Sequence, residues 1–429
     1  MRYTPLSAKT YENNRRKLAE TLPPGALAIF NSNDIMPTNA DGSMPFRQNA
    51  DLLYLSGADQ EETVLVLFPH ATLSSHREIL FVKETNEEIA IWEGEKLTKK
   101  RAQELTGIQT IYWTHQFETI LKSLMAETKA VFLNSNEHTR RSIPVETQDD
   151  RFGKRIRATY PLHAYHRVAP TMHRLRSLKS REEIEQMQKA CNITEAAFRR
   201  VLKFTKPGVL EYEIEAEFAH EFLRRGSRGF AYTPIIASGF NACVLHYIEN
   251  NQPCKDGEVI LLDVGAEYGN YASDMTRSIP VNGKFTARQK EVYNAVLRVM
   301  RGAMEILKPG VMLGEYQQRV GKIMEKELIQ LGLITQTEVD NQDASAPAYK
   351  KYFMHGTSHF IGLDVHDVGL WHEPVQAGMI FTVEPGIYIR EENLGIRLEN
   401  NILITENGFI DLMENIPVEA DEIEVLMKA

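Results

Sequence analysis

Late in the chain, histidines and carboxylates gather in settings where their polarity is out of place. The run His355-Gly356-Thr357-Ser358-His359-Phe360-Ile361-Gly362-Leu363-Asp364-Val365-His366-Asp367 holds three imidazoles. Phe381-Thr382-Val383-Glu384-Pro385-Gly386 and Gly395-Ile396-Arg397-Leu398-Glu399-Asn400-Asn401 then each set a glutamate in an apolar, strand-like run. Upstream, Asp263 ends the apolar run Val259-Ile260-Leu261-Leu262, and Asp274 follows across a turn containing Gly269. A hairpin there would bring both aspartates onto one face. Taken singly, an aspartate at a strand end is more often a turn former or cap, and a histidine a satisfied core or surface residue. Jointly, Asp263, Asp274, His359, Glu384 and Glu399 share similar apolar contexts, where ionised carboxylates are costly unless a positive charge sits among them. A metal ion neutralises several at once.

Four carboxylates and one imidazole suit two hard or borderline divalent ions, Mn²⁺ foremost, better than a thiolate zinc site. Mg²⁺, Co²⁺, Fe²⁺ and Zn²⁺ stay open. Two ions roughly 3.5–4 Å apart would clamp a bridging hydroxide and polarise a carbonyl oxygen. A neighbouring carboxylate would take the remaining proton, and the reaction class that calls for this is hydrolysis.

The elements that must position these groups come in a repeated pattern. Ser180 and Glu183 form a capping box ahead of a helix with Ile184, Met187, Cys191, Phe198, Val201 and Leu202 on one face. Lys206-Pro207-Gly208-Val209 ends it, and a second helix runs from about 211 to 225. Thr286 then caps a helix bearing Val292, Val296, Met300 and Met304, ended by the identical tetrapeptide Lys308-Pro309-Gly310-Val311 before another helix over 316–331. Pro-Gly is common helix punctuation, but the same four residues at matching places point to an internal duplication. Each helix pair precedes a strand pair with two carboxylates, Asp263 and Asp274 from one, Glu384 and Glu399 from the other. Packing of the halves about a pseudo-two-fold axis would bring all four to the seam.

At 429 residues two domains are expected. The first, over 1–172, is α/β: strands over 26–30, 52–55, 63–68, 79–82 and 130–133, with helices over 9–22 and 115–126. The second spans 173–429, with a linker near 170–178. Composition is that of a soluble globular protein, 43% hydrophobic and 25% charged. A formal charge of −9, with 49 basic against 58 acidic residues and no basic block, argues against nucleic acid. Cys191, Cys243 and Cys254 are an odd number at no ligand spacing and fit reduced thiols in a cytoplasmic protein. Met1-Arg2-Tyr3-Thr4-Pro5 leads into a charged helical pattern, so a signal peptide is not expected. No apolar run approaches bilayer length, so no membrane span is expected.

The five segments carrying Asp263, Asp274, His359, Glu384 and Glu399 resemble the metal-ligand blocks of the pita-bread metallopeptidases. Within these the chain is most similar to the aminopeptidase P (Xaa-Pro aminopeptidase) family. Leu245-His246-Tyr247 and Gly362-Leu363-Asp364-Val365-His366-Asp367 match its two non-ligand histidine blocks, and 45–57 looks like the signature of its N-terminal domain. The resemblance implies a pseudo-two-fold pita-bread catalytic domain after the α/β domain. It implies that Asp263 chelates one ion, Asp274 and Glu399 bridge both, and His359 and Glu384 bind the other, with Glu384 as general base. His246 and His366 would hydrogen-bond the scissile peptide and the developing oxyanion. Arg397 and Tyr388 would orient carboxylates. The implied substrates are peptides with proline at the second position, and the implied assembly is a homo-oligomer, dimer or tetramer. The Trp92-Glu93-Gly94 segment resembles a loop that reaches a neighbouring subunit's active site in that family; a surface hairpin tryptophan is the alternative. Asn400-Asn401 stand where the family commonly has two acidic residues, which bears on metal tuning rather than ligation. The segment between Asn31 and Met44 is longer than the family leads one to expect.

Competing functions are prolidase, which shares the five ligands but cleaves Xaa-Pro dipeptides, methionine aminopeptidase, which normally lacks such an N-terminal domain, and a metal-free binding module of the same fold.

Overall fold

The computed structural model describes residues 2–428, which form two compact units. One is Pro5–Arg176; the other runs from Ser177 onward and includes the residues ending at Thr4. The division falls slightly beyond the 172/173 boundary expected above. The expected linker is instead a helix, α7 (Ala169–Ser177; helices are numbered in chain order). Arg176 is buried and donates to Asp51 at 2.9 Å, and the Tyr54 hydroxyl donates to the Leu175 carbonyl, so α7 belongs with the first unit.

The first unit is built on a six-stranded sheet: β1 (Ala26–Asn31), β2 (Val64–Leu67), β3 (Glu78–Val82), β4 (Thr110–Trp113), β5 (Ala130–Leu133) and β6 (Ala164–Arg167). Their order is β4-β3-β2-β1-β5-β6, with β1, β5 and β6 parallel and β2 antiparallel to both neighbours. Leu27, Ile29, Val66, Phe81 and Val131 present one face to Phe117, Leu121 and Leu124 of α5 (Phe117–Met125) and Phe152 and Ile156 of α6 (Gln148–Thr159). β6 escaped the sequence because Ala-Tyr-His-Arg on a solvated edge lacks apolar alternation. Other helices of this unit are α1 (Ala8–Ala19), α2 (Ala50–Ser56), α3 (Glu87–Glu93) and α4 (Lys99–Thr106).

The strand expected over Leu52–Leu55 is α2. The Asn49 side chain accepts from the backbone N–H groups of Asp51 and Leu52, and Gly57, left-handed at φ 70°, closes the C-terminus. Leu52, Leu53, Tyr54 and Leu55 are all buried, so the four-residue run shows no period, and the caps decide the conformation. Trp92 lies on α3 and is 85% exposed, on a helix rather than a hairpin.

The second unit repeats one pattern. Helices α8 (Arg181–Phe204) and α9 (Glu211–Arg224) precede a sheet ordered β11-β8-β7, from β7 (Ile235–Ser238), β8 (Val259–Val264) and β11 (Met275–Pro280); the small hairpin of β9 (Glu267–Tyr268) and β10 (Tyr271–Ala272) lies between β8 and β11. Helices α10 (Ala287–Ile306) and α11 (Leu313–Gln330) precede β12 (Ile380–Val383), β15 (Asn400–Thr405) and β16 (Gly408–Asp411), ordered β12-β15-β16. The hairpin β13 (Gly386–Ile389) with β14 (Leu394–Arg397) lies between β12 and β15. The two Lys-Pro-Gly-Val segments make matching bonds. Gly208 N–H donates to Cys254 O and Cys254 N–H to Val209 O; Gly310 N–H donates to Val375 O and Val375 N–H to Val311 O. Equivalent atoms doing equivalent work support duplication more firmly than the tetrapeptide does. Among the described residues, no helix is long and apolar enough to cross a membrane.

At Gly57 an added Cβ would sit 2.4 Å from the Tyr11 ring at positive φ. Gly57→Ala is therefore expected to destabilise the protein by roughly 2–4 kcal/mol, from left-handed strain and overpacking together. Denaturant unfolding of the full chain checks this, and an unchanged first midpoint would contradict it.

Candidate metal centre

Asp263 is the penultimate residue of β8 and pairs with Thr276 of β11. Asp274 precedes Thr276 by two residues, so alternation puts Asp263, Thr276 and Asp274 on one face. In the other half Val383 pairs with Asn400, and one step further the chain reaches Glu384 on one side and Glu399 on the other. There the ladder opens. Glu384 N–H donates to Thr357 O at 2.9 Å, while Glu399 N–H donates to Thr276 O at 3.1 Å, in the first half. Asn401 completes the seam: its Nδ2 donates to Asp274 O at 2.8 Å and its Oδ1 accepts from Asp274 N–H at 3.0 Å. A carboxylate could accept there but could not also donate. Asn400 accepts from Arg277 and donates to Asp411.

The five residues converge. Ligand atoms of Asp274, His359 and Glu399 all lie within 4.8 Å of one another. His359 Nε2 is 3.4 Å from Asp274 Oδ2 and 3.6 Å from Glu384 Oε1, while its Nδ1 lies 2.9 Å from Phe360 O. A proton on Nδ1, donated to that carbonyl, leaves the Nε2 lone pair facing two carboxylates. The Tyr232 hydroxyl stands 2.7 Å from Asp263 Oδ1 and 2.6 Å from Asp274 Oδ1, but it has one proton to give. Glu399 Oε2 accepts from Thr276 Oγ1 at 2.6 Å, and its buried Oε1 has no hydrogen-bond partner among the described residues. An orphaned carboxylate oxygen is costly to bury. The donor set therefore fits a cationic group.

The charge balance of the set is lopsided. Arg397 donates to Asp263 Oδ2 at 2.5 Å and to Tyr388 OH at 2.9 Å, whose oxygen lies 2.7 Å from His355 Nε2. Arg277 donates instead to Asn400 and to backbone oxygens, among them Thr276 O and Glu399 O. Among the described residues one guanidinium bonds to a set of four carboxylates, an acidic excess that protons or cations must offset. Removal from water pushes the Asp263, Glu384 and Glu399 carboxyls up, Glu384 to about 7, and the neighbouring carboxylates add to the rise. Burial alone would lower His359, but the hydrogen bond and charge of Asp274 and the charge of Glu384 outweigh it and raise the imidazole.

The remaining expected residues all lie in the second unit. His366 is exposed, and its ring meets that of His359 edge-on at 4.5 Å between centroids. His246 is exposed on the loop after the Gly239–Cys243 turn. Its neighbours Leu245 and Tyr247 pack on a cluster containing Tyr388 and Leu261, and Tyr247 OH donates to the buried Glu211. Tyr388 and Arg397 are buried, and Asp367, not singled out as interior from the sequence, is buried too. Tyr232 went unnoticed because nothing local marks it. Thr276 could have been found, being two residues beyond Asp274 on the same face.

A model of metallopeptidase family M24 matches residues 185–406, and one of the aminopeptidase P N-terminal domain matches residues 11–132. Xaa-Pro aminopeptidase of Escherichia coli K12 is 35% identical, over 99% of this chain and 98% of that protein. Human Xaa-Pro aminopeptidase 3 is 34% identical, over 92% of this chain and 78% of that protein. The solved structure of zinc-substituted E. coli aminopeptidase P in complex with product superposes with a TM-score of 0.88 at 33% identity, covering 99% of each chain.

The carboxyl shifts set the sign of a pH dependence. Glu384 holds its proton more tightly folded than unfolded, so its contribution to the stability of metal-free protein is complete below about 4.5 and lost as pH rises through about 7. Asp263 and Glu399 act in the same direction. Metal-free protein is thus expected to lose stability across that window, and added Mn²⁺ to raise the melting temperature more at pH 8 than at pH 5. Thermal unfolding with and without chelator checks this; a metal effect independent of pH would contradict it.

Proposed function

The chain belongs to metallopeptidase family M24, and from that premise we propose that it is an Xaa-Pro aminopeptidase, releasing the first residue of peptides whose second residue is proline. The observation that carries this is the convergence of Asp274, His359 and Glu399, with Asp263 and Glu384 beside them, in a chain similar to Xaa-Pro aminopeptidases over its whole length. Asp263, Asp274, His359, Glu384 and Glu399 would hold two divalent ions, Mn²⁺ foremost. When bound, the ions lower the pKa of water and polarise the scissile carbonyl.

This chain's own groups do the rest. Glu384, its carboxyl raised by burial, takes the proton of the attacking water. His366, exposed beside His359, and His246, on the loop packed against Tyr388, hydrogen-bond the scissile peptide and the developing oxyanion. Arg397 fixes Asp263, and Tyr388 links Arg397 to His355. A dedicated site suits the substrate, since the Xaa-Pro amide has no N–H for ordinary peptidases to hydrogen-bond. Prolidase is the runner-up, and the Xaa-Pro aminopeptidase likeness along both units disfavours it. A dimer or tetramer in the cytosol completes the proposal; the three buried free thiols fit a reducing compartment.

Metal-reconstituted protein is expected to cleave Arg-Pro-Pro after arginine; turnover of Ala-Pro with none of Arg-Pro-Pro would make it a prolidase. Glu384→Gln is expected to lower kcat by about 10²–10⁴-fold while the circular dichroism spectrum is kept. Near wild-type turnover would remove Glu384 as the base.

A further inference from the structure

Lys179 and Asp367 form an ion pair at 3.0 Å with both side chains only 1% exposed. Lysine is almost never so buried, and such a pair is weak evidence for stability, since apolar residues of similar volume do as well. Its surroundings suggest another use. The segment from Phe360 to Asp367 is a closed loop: Asp367 N–H donates to Phe360 O at 2.8 Å and Gly362 N–H to Asp364 O. Asp367 Oδ1 accepts from Val368 N–H, leaving Oδ2 for the ammonium. Gly362 closes over the pair so tightly that a Cβ there would fall 2.1 Å from Asp367 Oδ2 and 2.8 Å from Lys179 Nζ. Gly362 O also accepts from Ala272 N–H at 2.7 Å, two residues before Asp274. Lys179 itself is anchored, its N–H donating to Gly378 O.

The loop is folded around one ammonium, and His366 stands next to the residue that ammonium holds. With Asp367 locked inward, His366 is turned outward, against His359. We propose that Lys179 is a positioning residue for His366: by holding Asp367 it fixes where the His366 imidazole stands relative to the candidate metal centre. This rests on the aminopeptidase assignment for the role of His366, but not for the geometry.

The test compares Lys179→Met and Gly362→Ala, the second displacing the pair with both charges kept, each alone and combined with His366→Ala. Each is expected to lower kcat about 10–100-fold, the scale of an ångström's misplacement, with KM and bound metal unchanged. In the His366→Ala background each is expected to cost less than about twofold, because residues acting through one another are not additive. In metal-free protein the ¹⁵N-histidine resonance of His366, assigned by its loss in His366→Ala, is expected to move in both variants. Losses that multiply onto His366→Ala, or an unmoved resonance, would overturn the role of Lys179 even with aminopeptidase activity intact. Absence of Xaa-Pro cleavage by the unsubstituted protein would defeat the functional assignment alone, leaving the resonance to decide. Should Lys179→Met fail to fold, Gly362→Ala carries every arm.

Discussion

Four carboxylates crowd one largely buried site, and among the described residues a single guanidinium bonds to the set. That imbalance is the constraint on which the rest of the second unit depends. Burial pushes the carboxyls toward holding protons, which relieves the imbalance, and cations relieve it too. The geometry favours the second resolution: an imidazole whose Nε2 faces two carboxylates, an orphaned oxygen on Glu399, and a tyrosine hydroxyl asked to serve two aspartates.

Duplication explains how such a pocket is assembled without one element having to supply it all. Each half ends its first helix on the same backbone exchange, and each offers a strand pair whose acidic residues face the seam. The halves are not interchangeable at the centre. Asp263 lies within its ladder, whereas Glu384 and Glu399 lie where theirs has opened, and the opening frees Glu399 to bond across to Thr276. Asn401 then ties the Asp274 backbone to the second half with a two-way amide pair. The seam is thus stitched by residues that flank the candidate ligands.

The candidate ligands were legible jointly rather than singly, because Asp263, Asp274, His359, Glu384 and Glu399 recur in similar apolar contexts. Strand alternation and the repeated tetrapeptide carried the inference to a common seam. What stayed hidden depends on distant partners. Tyr232 meets Asp263 and Asp274 only in three dimensions, and Lys179 finds Asp367 from the far end of the domain. Leu52–Leu55 misled because a short, fully buried apolar run has no period, and its caps at Asn49 and Gly57 outweighed strand-like composition. β6 was missed for the opposite reason, being too polar to look like a strand.

In the proposed reading, paired cations resolve the crowding of Asp263, Asp274, His359, Glu384 and Glu399. Anomalous diffraction at the manganese edge, from crystals grown with Mn²⁺, tests it most directly. Two peaks among these five side chains, with Glu399 Oε1 in contact, are predicted. A pocket without anomalous density at saturating Mn²⁺, or density only elsewhere, would contradict it.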